Sequence, residues 1–91
     1  LGIQFFDTTF KDPRIQNSFL VATHGSGKPK IGTGYKVQSV TEHGKPLTII
    51  DGFLQDGARV GRPVDVLKYD NNSFFVTDDF NGLVYFVKYT P

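Results

Sequence analysis

Cysteine and tryptophan are absent from the 91-residue sequence. Without cysteine the chain has no disulfide, no thiolate metal site and no cysteine nucleophile. For the same reason the sequence does not indicate whether the protein resides in an oxidising or a reducing compartment. Neither sign of charge dominates, because ten basic residues stand against nine acidic ones. This balance argues against bulk electrostatic binding to nucleic acid or to a membrane surface. The apolar runs are also too short to cross a bilayer.

Aromatic residues and glycine, in contrast, are plentiful, with nine Phe, four Tyr and ten Gly. This composition suits many short strands joined by tight turns, so we predict an all-β fold. A chain of 91 residues is one small domain or a piece of a larger one, with a modest core. Leu1-Gly2-Ile3 has the composition of a strand interior, and we therefore expect a fragment or a processed product.

The clearest pattern lies in residues 61–89, where three short antiparallel strands are predicted. Asp70-Asn71-Asn72 and residues 79–82 separate the apolar runs, and Asn and Gly accept the positive φ of hairpin turns. Pro63 has no N–H for a ladder and belongs at a strand start, which puts Arg62 at the mouth of a strand. Apolar residues recur at every second position, as on one face of a pleated sheet: Val64, Val66, Phe74, Val76, Leu83, Tyr85 and Val87.

Four further strands are predicted in the first half of the chain. Residues 18–23 form a compact apolar run that suits a strand buried on both faces. Residues 10–17 are polar and rich in turn formers, so we expect a surface loop. Residues 51–61 are predicted to be a loop pinned by Phe53 and Leu54. The four strands fall at residues 1–6, 18–23, 34–41 and 47–50.

A weak internal repeat relates residues 17–23 to residues 72–78, and each copy precedes a turn and a strand that begins with Gly. Four-stranded repeats of about 40 to 50 residues are typical of β-propeller blades. We therefore predict one blade in residues 1–60 and an incomplete closing blade in residues 61–91, whose outer strand comes from elsewhere. Two blades cannot close a ring, since propellers use about four to eight.

Because the strands of a blade alternate in direction, particular loops of neighbouring blades lie on the same face of a propeller. The loop between the second and third strands of a blade lies on the same face as the connection into the next blade. His24, Arg62 and the turn at residues 78–82 are therefore expected on one rim near the propeller axis. Ligands usually bind propellers at that position.

Together these segments resemble the last two blades of the quinoprotein glucose/sorbosone dehydrogenases, including the fungal pyranose-type members. This family consists of six-bladed propellers that use pyrroloquinoline quinone (PQQ). The resemblance covers nearly the whole chain and rests on the order and spacing of short matches. The matched segments are Leu1-Gly2-Ile3, Phe5-Phe6, Phe19-Leu20-Val21-Ala22, His24-Gly25-Ser26, Gly34-Tyr35-Lys36-Val37, Gly61-Arg62-Pro63-Val64-Asp65-Val66, Val76-Thr77-Asp78-Asp79 and Gly82-Leu83-Val84-Tyr85.

The resemblance implies oxidation of a sugar hydroxyl or hemiacetal, with hydride passing to PQQ and electrons leaving to an acceptor. It implies Arg62 as the leading cofactor contact, because Arg holds carboxylates by paired hydrogen bonds. His24 is a second candidate for the cofactor edge or the substrate rim. The implied partners are the remaining blades, the sugar and the electron acceptor, in a secreted or periplasmic protein, with no nucleic acid or membrane.

The family's general base and calcium ligands fall in earlier blades, so the resemblance assigns no catalytic or metal-binding residue to this chain. One departure concerns the substrate side. The family often has Trp and a short basic stretch after the His-Gly-Ser segment, whereas this sequence continues with Gly27-Lys28-Pro29-Lys30. The sugar preference therefore does not carry over.

Other interpretations stay open. The chain also fits a non-catalytic β-domain that presents Tyr and Phe to carbohydrate or to a protein partner.

Individual residues also have simpler interpretations. Arg62 and His24 fit ordinary turn residues, and Asp78-Asp79 fits turn capping better than calcium binding, which needs more oxygen ligands. Residues 25–28 lack the spacing of a phosphate loop. Asn71-Asn72-Ser73 fits an N-glycosylation acceptor.

Overall fold

The structure, a computed structural model, describes residues 2–23, 35–55 and 58–91. This part of the chain is all-β, as predicted, and none of its residues forms a helix. It therefore contains no helix long and apolar enough to cross a membrane. The strands are β1 (Gly2–Phe6), β2 (Ser18–Thr23), β3 (Lys36–Val40), β4 (Leu47–Ile50), β5 (Leu54–Gln55), β6 (Ala58–Arg59), β7 (Pro63–Asp70), β8 (Ser73–Asp78) and β9 (Leu83–Lys88).

Two antiparallel sheets carry the fold. The first sheet has the order β1-β2-β3-β4, and the second sheet has the order β7-β8-β9. All seven predicted strands are therefore confirmed. The strands β5 and β6 form a two-stranded ribbon within residues 51–61, where the sequence predicted only a loop. Phe53 is buried there, as predicted for an anchor.

The hairpins of the second sheet also follow the prediction, with one correction. Gly82 has the positive φ expected of its turn, at 66°. Pro63 pairs with Asp78 and Asp65 pairs with Thr77, which leaves Val64 as an extra, bulged residue. The prediction that Val64 shares the core face with Val66 is therefore wrong, because the bulge shifts the alternation by one residue.

The core lies between the two sheets and includes a loop that was predicted to be at the surface. Phe10 and Ile15, within residues 10–17, are fully buried. The ring of Phe10 stands 4.8 Å from that of Phe6 and 6.3 Å from that of Phe74. The surface-loop prediction is wrong, because turns in this segment direct its two large apolar side chains inward. The buried core cluster consists of Phe6, Phe10, Ile15, Leu20, Ala22, Val37, Val66, Phe74 and Val76.

Both sheets also carry apolar side chains on their outer faces. Strand β2 was predicted to be buried on both faces, but Phe19 is 45% exposed and only the Leu20 side is covered. Phe19 packs edge-on against Phe5, at 5.1 Å between ring centres. On the second sheet the outer face carries an apolar cluster of Leu67, Tyr69, Phe75, Val84 and Phe86, of which all but Phe75 are exposed.

The first strands of the two sheets lie side by side. The backbone N–H of Lys68 donates a 2.7 Å hydrogen bond to the Gln4 side chain. At Gly2 a side chain would overlap the backbone of Asp65, so glycine allows this close approach. Gly2 lies against Asp65, and Gln4, two residues later in β1, contacts Lys68, which also comes later in β7. The two strands therefore run in the same direction.

The internal repeat matches strand position but not side-chain direction. Residues 17–23 and 72–78 each contain the second strand of a sheet. In the sequence alignment of the repeat, however, Leu20 corresponds to Phe75. Leu20 is buried in the core, whereas Phe75 belongs to the outer cluster. The repeat therefore reflects the order of the strands more than a repeated pattern of core residues.

Candidate ligand-binding rim

The candidate site is the end of the second sheet where β7 begins and where β8 turns into β9. This rim comprises residues 61–62 and 78–82. Pro63 opens β7, as predicted, and its side chain is fully buried. Gly61 precedes Arg62 at a place where a side chain would collide with the ring of Phe53 and the carboxylate of Asp78. The glycine therefore lets the Arg62 backbone approach the end of β8.

Asp78 organises this rim through its two carboxylate oxygens. Its side chain is 2% exposed. Oδ1 accepts the backbone N–H groups of Arg62 at 3.0 Å, Phe80 at 2.9 Å and Asn81 at 3.1 Å. Oδ2 accepts the Asn81 amide at 2.9 Å and the Tyr85 hydroxyl at 2.8 Å. The carboxylate thus caps the turn and joins it to the start of β7.

The electrostatic state of this network follows from its donors. Burial raises the pKa of Asp78, but the hydrogen bonds from the Arg62 N–H, Asn81 and Tyr85 outweigh it and lower the pKa to about 2. The same contact raises the pKa of the Tyr85 hydroxyl, because its proton is shared with a carboxylate. At neutral pH the rim therefore holds a buried anion that accepts five hydrogen bonds.

Arg62 is fixed by the neighbouring carboxylate. Its Nε lies 2.6 Å from Asp79 Oδ1, and its Nη2 lies 2.8 Å from Oδ2. This two-bond geometry holds the guanidinium in one plane. The hydrogen bond to Asp79 raises the pKa of Arg62, and the negative charges of Asp79 and Asp78 act in the same direction. The side chain of Arg62 remains 35% exposed.

The first sheet contributes the opposite side of this end of the molecule. Ala22 pairs with Gly2, which packs on Asp65 just after Arg62. Tyr35 donates its N–H to the carbonyl of Thr23 at 2.9 Å, and its side chain is buried. The two residues that flank the connection at 24–34 therefore lie at the same end of the fold as Arg62. His24 itself lies outside the described residues, as does the rest of that connection.

No group of three or more His, Cys, Asp or Glu side chains able to hold a metal occurs within residues 2–23, 35–55 and 58–91. Arg62 contributes one positive charge, and Asp78 and Asp79 contribute two negative ones. These three side chains offer an oriented guanidinium as a hydrogen-bond donor, without a net positive charge.

Sequence reasoning proposed Arg62 as a candidate site residue but did not predict the network that positions it. Asn81 and Tyr85 were read only as a turn residue and a core residue, yet both bind the carboxylate of Asp78. The signal was present in the spacing Asp78-x-x-Asn81-Gly82, since an aspartate before such a turn commonly caps the following N–H groups. The predicted capping role of Asp78 is confirmed.

Comparisons with known proteins add little to this geometry. No family model matches the chain, and no solved structure matches it. The chain is 33% identical over 96 residues to an uncharacterized protein of Borreliella burgdorferi. The match covers 98% of this chain and 25% of the relative, so the chain spans about a quarter of that protein's length.

Proposed function

We propose that this chain forms two neighbouring blades of a PQQ-dependent sugar dehydrogenase and supplies part of its cofactor rim. The observation that carries the proposal is the position of Arg62, which lies in the segment that resembles the family. Arg62 stands at the start of β7, its guanidinium is held in one plane by Asp79, and its side chain is 35% exposed. An arginine fixed in this way is suited to a carboxylate ligand.

The two sheets support the propeller part of the proposal. Strands β1 and β7 lie side by side, as innermost strands of adjacent blades do. Each sheet also has apolar side chains on both faces, which a sheet needs when another sheet packs on either side. Phe19 on one outer face and Phe86 on the other are the residues that further blades would cover.

PQQ, when bound, would supply the two-electron chemistry of sugar oxidation, and this chain's own residues would bind and orient it. Arg62 donates hydrogen bonds to a cofactor carboxylate, and Asp79 holds the guanidinium plane. Asp78 fixes the backbone of Arg62 through its N–H. Because Asp79 already balances the charge of Arg62, further cations come from the remaining parts of the rim, where His24 is proposed.

The rest of the assembly belongs to the same proposal. The remaining blades supply the general base and the calcium ligands, and the enzyme meets its sugar and its electron acceptor in a secreted or periplasmic location. The relative of Borreliella burgdorferi is about four times as long as the matched part. That length leaves room for further blades in a protein of this kind.

A titration with PQQ tests the role of Arg62. PQQ is added to the assembled propeller that contains this chain and the remaining blades, and its absorbance is followed to saturation. The loss of a charged hydrogen bond in Arg62→Ala should weaken binding about 10- to 100-fold. Arg14→Ala is the matched control, since Arg14 makes a similar two-bond pair with Asp12 away from the rim. Unchanged affinity in Arg62→Ala removes Arg62 from the site, and absence of saturable binding by the parent rejects the cofactor proposal.

A non-catalytic binding module is the second candidate, and the outer cluster of the second sheet favours it. Tyr69 is 65% exposed and packs edge-on against Phe75 and Phe86. Exposed aromatic side chains of this kind bind carbohydrate or a protein partner. Sedimentation distinguishes the two candidates, because a stable monomer of the 91-residue chain supports the module, whereas a piece of a propeller associates through its apolar faces.

A further inference from the structure

We infer that Asn81 is a site of spontaneous deamidation, and that its conversion to aspartate or isoaspartate breaks the hydrogen-bond network of the rim by placing a new carboxylate against that of Asp78. The reacting groups are the side-chain amide of Asn81 and the backbone nitrogen of Gly82. Neither PQQ nor a sugar takes part, so this modification is independent of the proposed function.

The reaction needs only these two residues and water. The backbone nitrogen of Gly82 loses its proton and attacks Cγ of Asn81, a cyclic succinimide forms, and the side-chain nitrogen leaves as ammonia. Water then opens the ring at either carbonyl, which yields aspartate or isoaspartate. A water is consumed for each ammonia that is released, and no oxidant or other co-reactant enters.

The surroundings of Gly82 leave room for this attack. Both Asn81 and Gly82 are exposed, in the turn between β8 and β9. A side chain built at Gly82 would meet nothing within 4 Å, and glycine itself carries no Cβ beside the attacking nitrogen. The other asparagines, at positions 17, 71 and 72, are each followed by a residue with a side chain. The sequence therefore makes Asn81 the most reactive asparagine of the chain.

Two hydrogen bonds restrain the Asn81 amide in the folded protein. Its Nδ2 donates to Oδ2 of Asp78 at 2.9 Å and to the carbonyl of Val60 at 2.9 Å. Both partners are acceptors, which fixes the amide nitrogen on this side. Ring closure expels that nitrogen, so both hydrogen bonds are given up along the path. We expect the folded protein to react about 10- to 100-fold more slowly than the unfolded chain.

Deamidation reverses the role of this side chain. The amide nitrogen is a donor, whereas the oxygen that replaces it in aspartate is an acceptor that carries negative charge at neutral pH. This oxygen would face the Asp78 carboxylate and the Val60 carbonyl, and like charges at such short range repel each other. Isoaspartate also inserts a methylene into the backbone, which displaces Gly82 from its turn. The turn at residues 79–82 then loses its connection to the segment that precedes Arg62.

Mass spectrometry of a single peptide tests the site. Trypsin releases residues 69–88 as one peptide, which contains Asn71, Asn72 and Asn81. The chain is incubated folded in buffer and unfolded in guanidinium chloride at the same neutral pH and temperature, and fragmentation locates each amide that has become a carboxyl. In denaturant we expect Asn81 to react fastest of the three. In the folded protein we expect its rate to fall about 10- to 100-fold.

A chemical control identifies the attacking group. Gly82→Ala places a methyl group beside the backbone nitrogen, so in denaturant it should slow the reaction of Asn81 to about the rate of Asn72 in the same peptide. This measurement is made on the unfolded chain and does not require the variant to fold.

Matched substitutions test the effect of the product. Asn81→Asp should lower the midpoint of thermal unfolding by about 5 to 15 °C. Asn71→Asp is the control, because Asn71 is exposed in another turn and undergoes the same change of charge, and it should lower the midpoint by about 3 °C or less. Failure of Asn81→Asp to fold, beside a folded Asn71→Asp, has the same meaning as a large shift.

Each of several results would overturn the inference. Asn81 would then react no faster than Asn72 in denaturant, or Gly82→Ala would leave its rate unchanged. Equal rates in the folded and unfolded chain would exclude the restraint by Asp78 and Val60, and absence of the product after the time that a slowing of about 100-fold allows would exclude the reaction in the folded protein. Equal stabilities of Asn81→Asp and Asn71→Asp would exclude the effect on the rim.

Discussion

The hydroxyl of Tyr85 donates a 2.8 Å hydrogen bond to Oδ2 of Asp78, and this contact ties β9 to the buried end of β8. Asp78 accepts four further hydrogen bonds, three of them from backbone N–H groups of Arg62, Phe80 and Asn81. Two neighbouring strands, one hairpin turn and the entrance to β7 thus share one carboxylate. The geometry of the rim depends on this side chain.

Replacement of Asp78 should destabilise the protein strongly. Asp78→Ala leaves several buried donors without an acceptor, and each unsatisfied group costs about 1 to 3 kcal/mol. We expect the free energy of unfolding in urea to fall by about 3 to 5 kcal/mol. Tyr85→Phe removes a single bond to the same carboxylate and should cost about 1.5 to 3 kcal/mol. Equal losses in the two variants would contradict the central role of Asp78.

The stability of the protein should fall in acid because of the same residue. The folded-state pKa of Asp78 is about 2 and its ordinary value is 3.8, so the folded protein favours the carboxylate form. The resulting stabilisation, roughly 2 kcal/mol, is present above about pH 5 and is lost as the pH falls toward 2. Urea unfolding between pH 6 and pH 2 measures this slope.

Asp78→Asn provides the comparison for that pH series, and its slope should be shallower than that of the parent. The slope should not vanish, because side-chain hydrogen bonds from Thr9 and Ser73 also lower the pKa values of Asp7 and Asp70. If the parent and Asp78→Asn show the same pH dependence, Asp78 is not the dominant titrating group.

Local patterns in the sequence predicted the strands well, because alternation and turn residues are properties of neighbouring positions. They predicted less well which face of a sheet each side chain occupies. The bulge at Val64 depends on how β7 pairs with β8, and the outward position of Phe19 depends on which face meets the other sheet. Phe10 stands among polar neighbours, so only the tertiary fold reveals that it is buried. Arg62 became a candidate through a family resemblance, whereas the structure alone shows its partner Asp79.

The loop that carries Phe10 should contribute as much to stability as a strand. Phe10→Ala removes a fully buried ring that packs on Phe6 and Phe74, and such truncations cost about 3 to 5 kcal/mol. Leu67→Ala serves as the control, because Leu67 is 62% exposed and its loss should change the free energy of unfolding by about 0.5 kcal/mol or less. Chemical denaturation of both variants checks the difference. Similar small losses would mean that the loop is not part of the core.

The outer apolar faces should make the chain associate in solution. Phe19→Thr and Phe86→Thr each replace an exposed ring with a β-branched polar residue, which keeps the strand propensity and removes apolar surface. We expect both variants to remain monomeric at higher protein concentrations than the parent in sedimentation experiments. Lys45→Thr is a suitable control, because Lys45 is an exposed, charged residue in the turn between β3 and β4. An effect of the control as large as that of the two variants would exclude the faces as the cause.

The ion pair between Arg62 and Asp79 gives the sharpest prediction for the proposed binding of PQQ at the rim. Asp79 balances the charge of Arg62 and occupies Nε and Nη2 of its guanidinium. Asp79→Asn keeps the size of the side chain and removes its charge, so an anionic cofactor meets an uncompensated guanidinium. If Arg62 binds PQQ mainly through charge, Asp79→Asn should strengthen PQQ binding, and added salt should weaken binding more than it does in the parent. If Asp79 acts mainly by holding the guanidinium plane, Asp79→Asn should instead weaken binding at every salt concentration. Since Arg62→Ala removes the contact in either case, equal PQQ affinities in the parent, Asp79→Asn and Arg62→Ala would show that this pair takes no part in cofactor binding.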